Sequence, residues 1–136
     1  MAGYVLDDQV GFILRRANQR HLGIFGRAIR DLTPRQFAAL AKLCETGAMS
    51  QNALGRATAM DAATIKGVVD RLRARGLVEA AADPEDQRRM SLAATAAGQA
   101  AFGRLSAAAA EVTRETLAPL TDGERAEFLR LLAKLV

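Results

Sequence analysis

At 136 residues, with a formal net charge of +4 and a pI near 10.0, the chain has room for one domain with a real core and favours a polyanionic partner. Half of the residues are hydrophobic but only 4% are aromatic and none is Trp, so the core must come from Leu, Val, Ile and Ala, which suits helices. The single cysteine, Cys44, excludes an internal disulfide framework and fits a reducing compartment.

Residues 8–30 put Val10, Ile13, Leu14, Ala17, Ile24, Phe25 and Ala28 on one stripe at helical spacing, so a long amphipathic first helix is expected. From Arg15 to Arg35 there are six arginines against one acid, Asp31. Thr33-Pro34-Arg35-Gln36 is a helix start: Thr as cap, Pro in the first turn, Gln three residues after the cap. The second helix then buries Phe37, Leu40, Ala41, Leu43 and Cys44 and stops at Gly47. Ser50 caps a short third helix running to about Thr58. Asp61 caps a fourth, with Ile65, Val68, Val69 and Leu72 turned inward and Gly76 where a positive φ is wanted after its end.

Leu77–Ala82 and Arg88–Ala93 read as a short hairpin around Asp83-Pro84-Glu85-Asp86. Thr95 opens a fifth helix through Phe102, Leu105, Ala109 and Val112 to about Leu117, and Pro119 ends it. Thr121-Asp122-Gly123-Glu124 is a second capping box, followed by a helix carrying Phe128, Leu129, Leu131, Leu132 and Leu135. The terminal helices hold more apolar surface than a small core can cover, so a homodimer that packs them together is expected. The fold class is therefore mainly α with a small β-hairpin wing. No secretory leader and no run of about 18 apolar residues is visible, so a cytoplasmic protein without membrane spans is expected.

A helix, a second helix ending in arginines and a charged hairpin make up the order of a winged helix-turn-helix, with double-stranded DNA as the partner. From Ser50 to Gly76 five positive charges (Arg56, Lys66, Arg71, Arg73, Arg75) stand against Asp61 and Asp70. On the second of these helices Ala62, Ala63, Thr64, Lys66 and Gly67 suit a groove face. Small residues let the backbone approach, Thr64 can meet a phosphate or a thymine methyl, and Lys66 a phosphate or a guanine edge. Arg71 and Arg73 lie later and suit phosphates, as do Ser50, Gln51 and Asn52 at the start of the preceding helix. Arg88 and Arg89 stand at the hairpin tip, where Arg88 suits the minor groove with Asp86 aligning it through a salt bridge. Solvated charged helix faces are common, so for any one of these residues solvent and base contact are about equally expected.

The sequence resembles the MarR family of bacterial regulators over nearly its whole length. Leu32-Thr33-Pro34-Arg35-Gln36-Phe37, Val69-Asp70-Arg71-Leu72, Arg75-Gly76-Leu77-Val78, Asp83-Pro84-Glu85-Asp86 with Arg88-Arg89, and Thr95-Ala96-Ala97-Gly98 carry the resemblance. It implies one domain over residues 1–136, with dimerisation helices at 8–30 and 95–136 and a DNA-binding lobe at 33–93. It also implies a homodimer on a palindromic operator and release by a small phenolic or aromatic acid. Gln9–His21 and Ser50–Arg75 look like regulators of aromatic or heteroaromatic acid catabolism, hydroxynicotinate pathways included. Two departures stand out: Gln87 precedes the wing arginines, and Ala94 stands where a leucine is usual.

His21, the only histidine, falls on the apolar stripe of the first helix, where an imidazole can bond an acid or phenol, and Arg16 and Arg20 are near enough to clamp a carboxylate. The resemblance implies a pocket between the first, second and fifth helices. The bland alternative is a core histidine satisfied by a backbone carbonyl or by the partner subunit. Cys44, on an inward stripe with no second cysteine, reads as structural. One His, one Cys and no phosphate-cradling glycine loop leave no catalytic pair and no metal site, so neither an enzyme nor a cofactor is expected. The competing reading is a dimeric interaction or architectural DNA-binding protein without an effector. For a regulator, a hundredfold shift in operator occupancy needs only about 2.7 kcal/mol of differential ligand affinity.

Overall fold

The computed structural model describes residues 3–136, in which six α-helices and three short strands follow one another. They are α1 (Val10–Ala28), α2 (Pro34–Thr46), β1 (Met49–Ser50), α3 (Gln51–Ala57), α4 (Ala62–Ala74), β2 (Val78–Ala82), β3 (Met90–Ala94), α5 (Ala96–Thr116) and α6 (Asp122–Ala133). A single 3-10 turn at Leu6–Asp8 precedes α1. The chain gathers into two compact units: the residues up to Ala28 with Ala108–Val136, and Ile29–Ala107. One helix, α5, contributes to both.

In the Ile29–Ala107 unit, the caps read from sequence are the caps that form. Thr33 Oγ1 accepts the Gln36 N–H at 3.1 Å while Gln36 returns its side-chain oxygen to the Thr33 N–H at 3.1 Å, and Pro34 sits in the first turn, where no amide partner is lost. Ser50 Oγ caps α3 through the Ala53 N–H at 3.2 Å, and Asp61 caps α4 through the Thr64 N–H at 2.7 Å. That last bond holds the Asp61 carboxyl below its ordinary range. Leu40, Leu43, Leu54, Ile65, Val69, Leu72, Val78 and Leu92 are buried together as the core of this unit. Gly55 is buried where α3 meets α4: a Cβ there would stand 3.1 Å from the Met60 carbonyl oxygen and 3.2 Å from Ile65 Cγ2.

The hairpin differs from expectation in two ways. It belongs to a three-stranded antiparallel sheet of order β1-β3-β2, because Met49 and Ser50 pair with Leu92 and Ser91. A two-residue strand leaves no alternation to read in sequence. The returning strand also begins at Met90 and ends at Ala94, so Arg88 and Arg89 stay in the turn. Past the sheet, Thr95 Oγ1 donates to the Gly76 carbonyl at 2.6 Å and accepts the Gly98 N–H at 3.0 Å, starting α5 against the end of α4.

In the other unit α1 is shorter at both ends than residues 8–30, since Gln9 is extended and Ala28 is the last helical residue. Its stripe divides: Ile24 and Phe25 are buried, whereas Val10, Ile13 and Leu14 are exposed. On α6, Phe128, Leu129 and Leu131 are exposed as well, as is Leu135 beyond it. The capping box at Thr121 forms in full, with Glu124 Oε1 accepting the Thr121 N–H at 2.9 Å and Thr121 Oγ1 accepting the Glu124 N–H at 3.2 Å. That bond lowers the Glu124 carboxyl from its ordinary 4.5, so the contribution is present above that value and is lost as pH falls through the lower folded value. Glu124→Gln, which keeps an acceptor for the Thr121 N–H but removes its charge, is expected to melt below the wild type at neutral pH. The gap between the two melting curves should narrow in acid below pH 4.5. A gap independent of pH would mean that the Glu124 charge contributes nothing.

Candidate nucleic-acid interface

At 3.6 residues per turn, the buried side of α4 (Ile65, Val68, Val69, Leu72) dictates what points outward. The middle of the outward face is Ala63, Gly67, Asp70 and Ala74, three small residues and one acid. Lys66 and Arg73 flank it on one side, Thr64 and Arg71 on the other, and Ala62 opens the helix. Nothing lies within 4 Å of where a Cβ on Gly67 would be, so the face is open there. Small groups in the middle let a helix backbone come close to a groove, and cations on the rims meet the phosphates on either side. Lys66 Nζ is held by Asp70 at 2.8 Å, a bond that lowers the Asp70 carboxyl. Both side chains are largely exposed, so the pair is weak and readily exchanged for a phosphate.

The wing tip is organised by its two aspartates. Asp83 donates its N–H to the Arg89 carbonyl at 2.9 Å, closing the loop, and its Oδ1 accepts the Glu85 N–H at 2.9 Å. Asp86 Oδ1 accepts the Arg88 backbone N–H at 3.0 Å, an Asx turn. The salt bridge expected between Asp86 and Arg88 does not form: the Asp86 carboxylate faces Arg89, at 3.9 Å from Nε. An aspartate that binds the backbone amide two residues on turns its other oxygen toward the next side chain. The Arg88 guanidinium has no ionic or hydrogen-bond partner among the described residues and projects from the tip.

Between α3 and the wing lies a polar cleft of about 500 Å³, lined by Ser50, Gln51, Asn52, Arg56, Arg89 and Met90. The structure thus brings together three residues read from sequence at the start of α3 with one from the wing. It adds Arg56, which in the sequence stood out only as one positive charge among five. The signal was there: Arg56 is four residues after Asn52, on the same face of α3.

The residues expected to meet an effector lie in the other unit and are not equivalent. His21 lines a cavity of about 340 Å³ among α1, α5 and α6, with Leu14, Ala17, Asn18, Thr113, Thr116, Leu117, Phe128, Leu129 and Leu132. Its Nδ1 is 2.8 Å from Thr116 Oγ1, so one ring nitrogen meets a side-chain hydroxyl. Neither arginine of the expected clamp reaches that wall. Arg20 donates to the Thr116 and Glu115 carbonyls at 2.7 and 2.9 Å, a cation on the carbonyl end of α5, and Arg16 lies 5.8 Å over the Phe12 ring. Cys44 is half-buried, and burial pushes its thiol up from 9.0, away from the reactive thiolate.

A helix pair with a small outward face rimmed by cations, followed by a hairpin with a free arginine at its tip, defines a winged helix-turn-helix DNA-binding regulator. Residues 30–89 match the MarR family, and the chain is 40% identical over 135 residues to the HTH-type transcriptional repressor NicR of Pseudomonas putida, covering 98% of this chain and 85% of that protein. The chain belongs to the MarR family of transcriptional regulators. A probable transcriptional regulator from Pseudomonas aeruginosa superposes with a TM-score of 0.95 at 53% identity, over 97% of this chain and 100% of that one. BpsR of Bordetella bronchiseptica, whose DNA binding is regulated by 6-hydroxynicotinic acid, superposes at 0.95 with 38% identity over 98% and 97% of the two chains.

Proposed function

We propose that the protein is a homodimeric, non-enzymatic repressor that binds a palindromic operator and leaves it when a small aromatic or heteroaromatic acid occupies the cavity beside His21. The outward face of α4 carries the DNA half of this reading: small residues in the middle, cations on both rims. In a dimer the two copies of α4 enter successive major grooves about 34 Å apart. Thr64, Lys66, Arg71 and Arg73 then meet bases and phosphates, with Ser50, Gln51, Asn52 and Arg89 on the backbone and Arg88 at the minor groove. The second copy covers the exposed apolar groove of about 500 Å³ formed by Val10, Ile13 and Leu14 with Phe128, Leu131 and Leu135. A dimer there removes from water an apolar face that a lone chain leaves wet.

The cavity suits a flat apolar ring with one polar edge: Leu14, Leu117, Phe128 and Leu132 supply the walls, His21, Asn18, Thr113 and Thr116 the polar groups. The Nε2 of His21 has no protein partner among the described residues and is available to a carboxylate or phenol. A carboxylate that competes for the Thr116 hydroxyl acts at the C-terminal turn of α5, the helix whose other end starts at the wing. The similarity to BpsR, whose DNA binding is regulated by 6-hydroxynicotinic acid, supports this choice of effector class.

Selection of bound duplexes from a random DNA library, followed by sequencing, tests the reading. The expected product is a palindrome with half-sites about one helical turn apart. That operator then serves to screen aromatic acids, 6-hydroxynicotinic acid among them, for release, with His21→Ala expected to bind the operator normally and to lose the response. Salt-sensitive binding with no enriched site would mean an architectural protein. Release by the same acids from the His21→Ala protein would place the effector elsewhere.

A further inference from the structure

We infer that the cleft between α3 and the wing seats one backbone phosphate of the DNA, held between the guanidinium groups of Arg56 and Arg89. The inference rests on the DNA-binding reading and deepens it, since it adds a residue and a contact that the outward face of α4 does not contain. The cleft, about 500 Å³, has two arginines and no carboxylate in its lining, and Met90 is its one apolar wall. A small aromatic ligand asks for a mostly apolar pocket with a few polar groups, which these six residues do not make.

Arg56 is exposed and its guanidinium has no partner among the described residues. Arg89 has one, the Asp86 carboxylate, but at 3.9 Å with both side chains open to solvent the contact is long, screened and easily exchanged. Two arginines in the lining of one cleft, together with Gln51 and Asn52, match a tetrahedral oxyanion whose charge is spread over several oxygens. A duplex lying on α4 carries one phosphate charge per about 1.7 Å of its axis, so its backbone must pass the elements on either side of that helix. Those elements, α3 and the wing, are the two walls of the cleft. A phosphodiester is therefore the occupant in the complex, and inorganic phosphate is a weak competitor for the same place.

The test uses the full-length protein and its selected operator, in a series of duplexes that each carry one neutral methylphosphonate in place of a phosphate. The wild type is expected to lose roughly tenfold in affinity at one such position in each half-site. Arg56→Gln should bind the unmodified operator about tenfold more weakly, and random duplex by a similar factor, because a phosphate contact carries no sequence information. It should lose nothing more at that one methylphosphonate. Its slope of log affinity against log salt should fall by about 0.9 per subunit, while Arg56→Lys keeps most of the slope. Arg89→Gln should be blind to the same position, and a purely structural role for either arginine would not single out one phosphate.

If Arg56→Gln matches the wild type at every phosphate while Thr64→Ala weakens operator binding, the inference falls and DNA binding stands. The inference falls in the same way if millimolar inorganic phosphate, at constant ionic strength, raises the melting temperature of the wild type but not of Arg56→Gln and DNA affinity is unaffected: the cleft is then a free-anion site. A wild type that binds no duplex overturns both readings.

Discussion

Leu131→Glu is expected to turn the protein into monomers and to weaken operator binding by roughly a hundredfold to ten-thousandfold. In the single chain Leu131 is 47% exposed, and the groove around it is completed by Val10 at 66%, Phe128 at 41% and Leu135 at 69%. A carboxylate at an already wet position costs the isolated chain little. In a dimer, the same carboxylate must be buried against a second apolar face with no partner, and an ionised group then loses several kcal/mol of hydration. Two half-sites bound by one dimer act at an effective concentration set by their linkage, so separating the subunits removes that gain without touching a DNA contact. Sedimentation measures the mass and a circular dichroism spectrum checks that the helices persist. A Leu131→Glu protein that remains dimeric and binds as before would put the dimer contact on another surface.

Gly98→Ala is expected to destabilise the protein by about 3 kcal/mol, a fall of about 10 °C in melting temperature. Gly98 lies in the first turn of α5 and is buried, and a Cβ built on it would stand 2.0 Å from the Leu77 carbonyl oxygen and 3.2 Å from Leu40 Cδ1. The obstructing atom is backbone and is tied in place, since the Leu77 carbonyl accepts the Thr95 N–H at 3.1 Å. The junction yields only by separating α5 from the end of α4, which breaks the Thr95 bonds to the Gly76 and Leu77 carbonyls as well. Alanine favours a helix over glycine by about 1 kcal/mol, too little to offset that loss. Gly103→Ala on the same helix is the control, because nothing lies within 4 Å of its Cβ position and only the propensity gain remains. Melting temperatures in the order Gly103→Ala, wild type, Gly98→Ala are expected. A Gly98→Ala protein as stable as the wild type would mean that the α5 junction is looser than its hydrogen bonds imply.

The helices of this protein were legible because their signals are local. Thr33, Ser50, Asp61 and Thr121 each bond an amide three residues on, and the apolar spacing of α4 names the four residues that are buried. The groove-facing side of α4 follows from that spacing alone, since what is not buried on a helix must point out. The wing tip was less legible. Its aspartates were visible, but whether Asp86 takes Arg88 or Arg89 depends on the turn geometry, which residue spacing does not encode.

The order of the elements, their caps and the family could therefore be read from the residues themselves, because those rest on contacts within a turn of chain and on motifs a few residues long. What distant residues do to one another came from the packed chain alone. Packing paired Met49 and Ser50 with the wing, joined His21 to Thr116 across 95 positions and took Arg20 to the carbonyl end of α5. It also set Arg56 beside Arg89 across one cleft. The physical reason is common to all of these: a charge or hydroxyl takes the best partner brought within about 3–4 Å, and which partner arrives is the outcome of the whole core rather than of the neighbouring sequence.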